Sequence, residues 1–305
     1  MAWPGHGGDR LDVAVAALAG QPRRRARAVI GEGRVWVNGA PVRVLSRRLR
    51  TGDVVDVIEG GDSLAAPIPL PAPLPLLHED SWLIAIDKPA GLASQPRRTP
   101  AAGELAACEL LALQLALREG ARQPLALFHR LDRITSGVMV FPRHHQASAA
   151  LAATWRAGRA EKRYLAVVRG DPGGQPVVVE RAVGRDPASP GRVRTDRRGD
   201  PATTRVARLA LAGGLALVEA RPLTGRMHQV RVHLADLGCP VAGDTLYGGG
   251  RDVPRPYLHA WRLALPHPRD RRRLELVAPM PGDMATFLEA HGLRVVDLTA
   301  PGSAQ

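Results

Sequence analysis

The chain of 305 residues has two cysteines, three phenylalanines and three tyrosines, and aromatic residues make up 4% of it. Cys108 and Cys239 are too few and too far apart in sequence for a disulfide framework or a cysteine zinc site, and read as small core residues. No apolar run approaches the roughly 18 residues of a membrane-spanning helix. Met1 to Gly8 lacks the basic-then-apolar order of a signal peptide. The expectation is therefore a cytoplasmic protein with no membrane partner. Cofactor signatures are missing too. Gly31-Glu32-Gly33 lacks the third glycine of a dinucleotide loop, and there is no phosphate-binding P-loop, no G-x-S-x-G elbow and no metal-ligand spacing. His228 and His233, five apart, do not share a helix face as i, i+4 ligands do. No cofactor and no metal are expected.

Lysine is almost absent as well: Lys88 and Lys162 are the only two. The 42 basic residues, set against 29 acidic ones for a net charge of +13, are thus nearly all arginine. Such an excess favours a polyanionic partner through phosphate contacts. Arginine adds stacking on bases and two-pronged hydrogen bonding to phosphate.

Four stretches are expected along the chain: a small module over residues 1–60, a linker over 61–75, a large domain over 76–292 and a tail over 293–305. In the first, helical patterns at Leu11–Leu18 and Arg23–Gly31 precede short strands at Arg34–Val37 and Val54–Ile58, with Asn38-Gly39 as a hairpin turn. Arg23, Arg24, Arg25 and Arg27 open the second helix, where side chains and free backbone N–H groups both suit phosphate. A solvated charged face is the plainer alternative. The linker ends in PIPLPAPLP, which excludes a regular helix or central strand. In the large domain the clearest helices are Ala101–Glu119 and Gln146–Arg156. Asp186–Pro201 reads as an exposed basic loop or hairpin tip.

The most informative segment is His129-Arg130-Leu131-Asp132-Arg133-Ile134-Thr135-Ser136-Gly137. It sets one carboxylate between two arginines, and apolar runs at Leu125–Phe128 and Val138–Phe141 predict a buried strand on each side. Guanidinium neighbours favour the charged carboxylate, which suits a nucleophile or base. A turn-capping Asp–Arg pair is the bland reading. From Thr224 a helix is predicted to run to Gly238, capped by Thr224 and stopped by Pro240. Its apolar face carries Met227, Val230, Leu234 and Leu237, and its adjacent polar face Arg226, Gln229 and His233.

HRLDRITSG resembles the signature of the RluA-type pseudouridine synthases. Three further stretches agree in family order: the strand and KPAG turn at His78–Leu92, the K-x-Y-x-A-x-V strand at Glu161–Val168, and LTGRMHQVRVHLADLGCPVAGDTLYG at Leu223–Gly248. Met227 stands where the family usually has Thr, and Ser94-Gln95-Pro96 where a His-Pro pair is common. The small module, with Arg10-Leu11-Asp12, the V-x-V-N-G turn and Gly52-Asp53, is similar to the RNA-binding alpha-L motif of small-subunit ribosomal protein four.

The resemblance implies an α+β fold, with a mixed, mainly antiparallel catalytic sheet and a small α/β RNA-binding module. It also implies a cofactor-free isomerase that turns uridine into pseudouridine. Asp132 takes the role of catalytic carboxylate. Arg226 becomes the arginine that holds it, and Tyr164 the ring that stacks on the target uracil and whose hydroxyl could accept a proton. A uridine in folded RNA must first leave its stack, and Arg130 matches the residue that fills the vacated space. Arg133, Gln229, Arg231 and His233 are expected to contact RNA. Large-subunit ribosomal RNA is the implied substrate for a monomeric enzyme, with transfer RNA, or both, as the alternative. A non-catalytic RNA-binding or ribosome-assembly protein would have no chemical reason to keep Asp132, Tyr164 and Arg226 together. A methyltransferase would need the glycine-rich loop that is missing.

Overall fold

The computed structural model describes residues 8–294 apart from 32–34, 39, 43, 58–71, 97–104, 121–124 and 190. The predicted linker up to residue 71, the tail from residue 295, Gly39 and the first turn predicted for the Ala101–Glu119 helix lie outside the described residues. Two compact units emerge, one within residues 1–72 and 96–105, the other within 73–95 and 106–305.

The smaller unit carries helices α1 (Leu11–Leu18) and α2 (Arg23–Gly31), then strands β1 (Val35–Val37), β2 (Ala40–Pro41) and β3 (Val55–Val57) in the antiparallel order β2-β1-β3. Leu11, Ala14 and Val15 recur at helical spacing and close on Ala26, Val29, Ile30 and Val35. Asn38 takes φ +52°, a backbone conformation asparagine tolerates well, as it leaves β1. Asp12 has no exposed surface yet is charged among cations. Arg10 Nε, Arg23 Nε and Arg27 Nε donate to its carboxylate at 3.0, 3.2 and 3.0 Å. Burial works to raise its pKa, but the three guanidinium groups outweigh it and hold the carboxyl below the usual range.

The larger unit runs β4 (Leu76–Glu79), β5 (Leu83–Lys88), α3 (Ala107–Glu119), β6 (Ser136–Pro142), α4 (His145–Arg156), β7 (Glu161–Arg169), β8 (Val177–Glu180), β9 (Val183–Arg185), β10 (Val193–Thr195), β11 (Thr203–Ala212), β12 (Leu215–Pro222), α5 (Gln229–Asp236), β13 (Leu258–Pro266), β14 (Arg273–Val277) and α6 (Gly282–Ala290). Its main sheet has the order β4-β5-β6-β13-β7-β12-β11-β8, with β14 added against β13. All pairings are antiparallel except β6 with β13.

The alternation of a strand explains why both faces of this sheet are covered. On β5, Ile84 and Ile86 pack with Leu111 and Leu115 of α3, while Leu83 and Ala85 face the cluster that holds Leu151 of α4. On β7, Ala166 and Val168 meet Val230 and Leu234 of α5, and Leu165 and Val167 meet Met284 and Leu288 of α6. The sheet forks at β13, whose first residues pair with Ser136 and Gly137 while Arg262 to Pro266 pair with β14. At the fork Gly137 has φ +114°, and a Cβ there would lie 2.2 Å from the Ala260 carbonyl oxygen, so only glycine fits.

Two local expectations are corrected. Leu125–Phe128 is not a strand but irregular chain, with Leu125 and Leu127 half-buried against the α3 cluster. A short apolar run marks burial without fixing backbone form. The helix predicted from Thr224 begins instead at Gln229, because the Thr224 hydroxyl is spent on a loop. It donates to Gln229 Oε1 at 2.7 Å and accepts from Thr203 N at 3.1 Å. His228 then enters the helix at φ +52°. The stretch expected as a loop or hairpin tip over Asp186–Pro201 starts in the connection of the β9–β10 hairpin, but Val193–Thr195 within it is strand β10.

Candidate active site

Asp132 lies on the turn that leads into β6, where Thr135 N donates to its carbonyl at 3.0 Å. Ser94 clamps the preceding residue, its Oγ donating to Leu131 O at 2.6 Å and accepting from Leu131 N at 3.1 Å. Lys88 supports the following one. Fully buried at the end of β5, it directs Nζ to Pro89 O, Leu92 O and Arg133 O at 2.8, 2.9 and 3.4 Å. Three carbonyls match the three donors of an ammonium. Burial pushes the Lys88 pKa down to about 7, although the Asp132 charge works against that. Arg133 Nε caps the same turn by donating to Gly91 O at 2.8 Å, while Arg130 is exposed.

The guanidinium that meets Asp132 is that of Arg231, not Arg226. Arg231 Nη1 donates to Asp132 Oδ2 at 3.3 Å, and Arg231 Nε and Nη2 donate to the two oxygens of Asp244 at 2.6 and 2.8 Å. Burial disfavours the Arg231 charge, but its bonds to Asp244 and the nearby Asp132 outweigh this and raise its pKa. The Tyr247 ring lies 5.0 Å beneath the guanidinium, and Tyr247 Oη is 3.0 Å from His228 Nδ1 and donates to Val193 O at 3.1 Å. His228 Nε2 stands 3.9 Å from Asp132 Oδ1. Burial lowers the His228 pKa and so favours the neutral ring, although the Asp132 charge works the other way.

Arg226 faces another way. Its Nε donates to Pro201 O at 3.1 Å and its Nη1 lies 3.8 Å from Asp200 Oδ2. The cause is the delayed helix start. With α5 beginning at Gln229, Arg226 belongs to the loop, and the first inward-facing arginine is Arg231, two residues after α5 begins. Gln229 and His233, expected at RNA, are buried in structural bonds. Gln229 Nε2 donates to Thr203 O and Thr204 Oγ1, both at 3.0 Å, and His233 lies 2.9 Å from both Thr204 Oγ1 and Arg181 O. Arg231, also expected at RNA, is occupied by the two carboxylates. Of the small-module arginines, Arg23 and Arg27 are committed to Asp12, whereas Arg24 and Arg25 are exposed.

A cavity of about 370 Å³ opens in front of Asp132, lined by Arg130, Lys162, Tyr164, Met227, Arg226 and Arg231 among others. That is room for a nucleoside-sized ligand. Tyr164 projects from β7, whose alternation places it on the face of Ala166 and Val168. Burial first, then the Asp132 charge, push its phenol well above the ordinary value, so the hydroxyl is no base near neutral pH. This revises the proton-accepting role. Lys162 Nζ, its pKa lowered by burial, donates to Thr224 O at 2.8 Å on the cavity wall.

Residue-level reading missed Asp244, Tyr247, Lys88 and Lys162. A signal existed for each: GDTLY and KPAG were recognised as motifs, and the only two lysines of the chain both end up at this site. Chemically, the arrangement offers a carboxylate fixed in orientation, an aromatic platform beside it and donors around a cavity.

Comparison with known proteins adds an independent line. Residues 82–236 match the family described as RNA pseudouridylate synthase, and residues 9–55 match the S4 domain. The chain is 35% identical to an uncharacterized RNA pseudouridine synthase of Chloroflexus aurantiacus, over 92% of this chain and 89% of that one. It is also 35% identical to the ribosomal large subunit pseudouridine synthase D of Nitrosomonas europaea, over 93% of this chain and 84% of that one. Among solved structures, human RNA Pseudouridylate Synthase Domain Containing 4 superposes with a TM-score of 0.61 at 28% identity, covering 73% of this chain and 95% of that one.

Proposed function

We propose that this chain, which belongs to the RNA pseudouridylate synthase family and isomerises uridine to pseudouridine in RNA, acts on large-subunit ribosomal RNA with Asp132 as its catalytic carboxylate. One observation carries the assignment of Asp132: its carboxylate is held by Arg231, itself locked by Asp244, at the wall of a cavity that fits one nucleoside.

The reaction breaks the bond from uracil N1 to the sugar C1′ and forms one from C5, while the proton on C5 is lost and N1 gains one. Atoms and electrons balance without oxidant, hydrolysis or cofactor. Catalysis then rests on holding groups in place. Arg231 aims Asp132 at the sugar or the ring. Tyr164 offers its ring as a platform that keeps the detached base from leaving while it turns. Arg130, exposed two residues before Asp132, is suited to fill the stack that the target vacates, at a flipping cost of a few kcal/mol. Within the S4 domain, Arg24 and Arg25 of α2 are exposed and suited to phosphate. The named relative of Nitrosomonas europaea supports ribosomal RNA as substrate. The account takes residues 1–60 as the RNA-binding module and 76–292 as the catalytic domain of a cytoplasmic monomer.

The test is a position-resolved pseudouridine map of unmodified ribosomal and transfer RNA offered together to the purified chain. New sites confined to large-subunit RNA support the reading. Sites confined to transfer RNA overturn the substrate, and no site in either overturns the reading altogether.

A further inference from the structure

At the forked end of the main sheet, three potential ligands converge. His78 ends β4 one residue before its last, Asp80 begins the β4–β5 turn, and His267 follows β13 in the turn to β14. His78 Nε2 and His267 Nε2 each lie 2.8 Å from the same atom, Asp80 Oδ2. One ligand atom from each residue falls within 4.8 Å of the others. We propose that His78, Asp80 and His267 form a binding site for a divalent transition-metal ion of the zinc type, which clips the β13–β14 turn to the β4–β5 turn.

The carboxylate is prepared for this. Asp80 Oδ1 is committed to the backbone, accepting from Trp82 N at 2.6 Å and Leu83 N at 2.9 Å. That fixes the side chain and leaves Oδ2 aimed between the imidazoles. His267 is prepared as well. Its Nδ1 accepts from Arg269 N at 3.2 Å and stands 3.5 Å from Asp270 Oδ1. Without metal, the ring carries its proton on Nε2 and gives it to Asp80. When a cation takes the Nε2 lone pair, that proton moves to Nδ1, which gives up the bond from Arg269 N and turns to Asp270 Oδ1 as acceptor. A carboxylate behind a metal-bound histidine is the usual orienting partner.

Two imidazole nitrogens and one carboxylate oxygen suit zinc over magnesium or calcium, which prefer all-oxygen shells. Bonds of about 2.0 Å in a tetrahedron separate ligand atoms by about 3.3 Å, so the present 2.8 Å spacing must open by about 0.5 Å. The side chains of His78, Asp80 and His267 are 28%, 30% and 13% exposed, so the fourth position is open to water. Of the guanidinium groups nearby, Arg143 has Nη1 at 3.5 Å from Asp80 O, with its charge matched by Glu79 at 2.9 Å and Glu119 at 2.8 Å, and Arg272 is paired with Asp270 at 2.7 Å. The purpose is mechanical. β4 and the β13–β14 hairpin lie on opposite branches of the fork, and a clip there closes it.

The experiment is a zinc titration of the chelator-stripped, full-length protein in competition with a chromophoric chelator, with cobalt absorption as a second readout. One zinc per chain is expected, with a melting temperature that rises with zinc. His78→Gln and His267→Gln, which keep neutral polar side chains at the cluster, are expected to weaken binding at least 100-fold. Asp270→Asn, which removes no ligand, weakens it by about 10-fold. His145→Ala, at an exposed position, leaves it unchanged. If the wild type binds no zinc at micromolar concentrations, or if folded His78→Gln and His267→Gln proteins bind as the wild type does, the site is overturned.

Discussion

Replacing Arg231 by lysine separates the observed arrangement from the one expected from sequence. The Arg231 side chain is 6% exposed and donates to Asp244 twice and to Asp132 once. Alanine at this position would strand two carboxylates with no cation between them, at about 3–5 kcal/mol, and confound folding with catalysis. Lysine keeps the charge but cannot span both partners. Losing the charge-assisted bond to Asp132 costs about 1.5–3 kcal/mol, which is a slowing of about 10- to 150-fold. Arg226 is 40% exposed, and its partner Asp200 is 71% exposed. Such a pair is worth about 0–1 kcal/mol, so Arg226→Ala is expected to slow the chemical step by no more than about 5-fold. The assay is the single-turnover rate of tritium release from RNA labelled at uridine C5, with circular dichroism to show that both variants are folded. A folded Arg231→Lys at the wild-type rate, beside an Arg226→Ala slowed 100-fold, would refute the assignment.

Three further outcomes are expected. Tyr164→Phe keeps activity within about 10-fold, since the phenol is no base at neutral pH, while Tyr164→Ala loses far more; a pH–rate limb below pH 9 that vanishes in the phenylalanine variant would contradict this. Gly137→Ala meets both a positive φ and the Ala260 carbonyl, and denaturant titration is expected to show a loss above about 3 kcal/mol or no folded protein. In the small module Asp12 has a folded pKa below its ordinary 3.8, so its stabilisation is complete above that value and is lost as pH falls through the lower folded one. Acid unfolding of Asp12→Asn followed by circular dichroism should lack that loss.

Much of the site was legible because its motifs are local. Asp132 on a polar turn, β7 with Tyr164 and the Thr224–Gly248 stretch all followed from residue order. Which arginine meets Asp132 did not, because it depends on where α5 begins. Thr224 looks like a helix cap in sequence, but Gln229 and Thr203 claim its hydroxyl, and Thr203 is distant in sequence. A shift of the helix start by a few residues exchanged Arg226 for Arg231 and drew Gln229 and His233 inward. In the small module the cluster of arginines was visible, but its division was not. Asp12 takes Arg23 and Arg27 from one side of α2 and leaves Arg24 and Arg25 to solvent. The strand reading of Leu125–Phe128 failed for a simpler reason: apolar residues can pack half-buried against a core with no neighbouring strand to pair with.

The account's central claim is that Asp132 performs chemistry and does not merely hold a turn. Asp132→Asn preserves size and keeps one oxygen to accept from Arg231 while removing the charge, so RNA affinity and pseudouridine yield should be measured on the same preparation with unmodified ribosomal RNA. The account predicts affinity within about 3-fold of wild type, roughly 0.6 kcal/mol, and no pseudouridine above background. Pseudouridine formed by Asp132→Asn at a wild-type rate would contradict it.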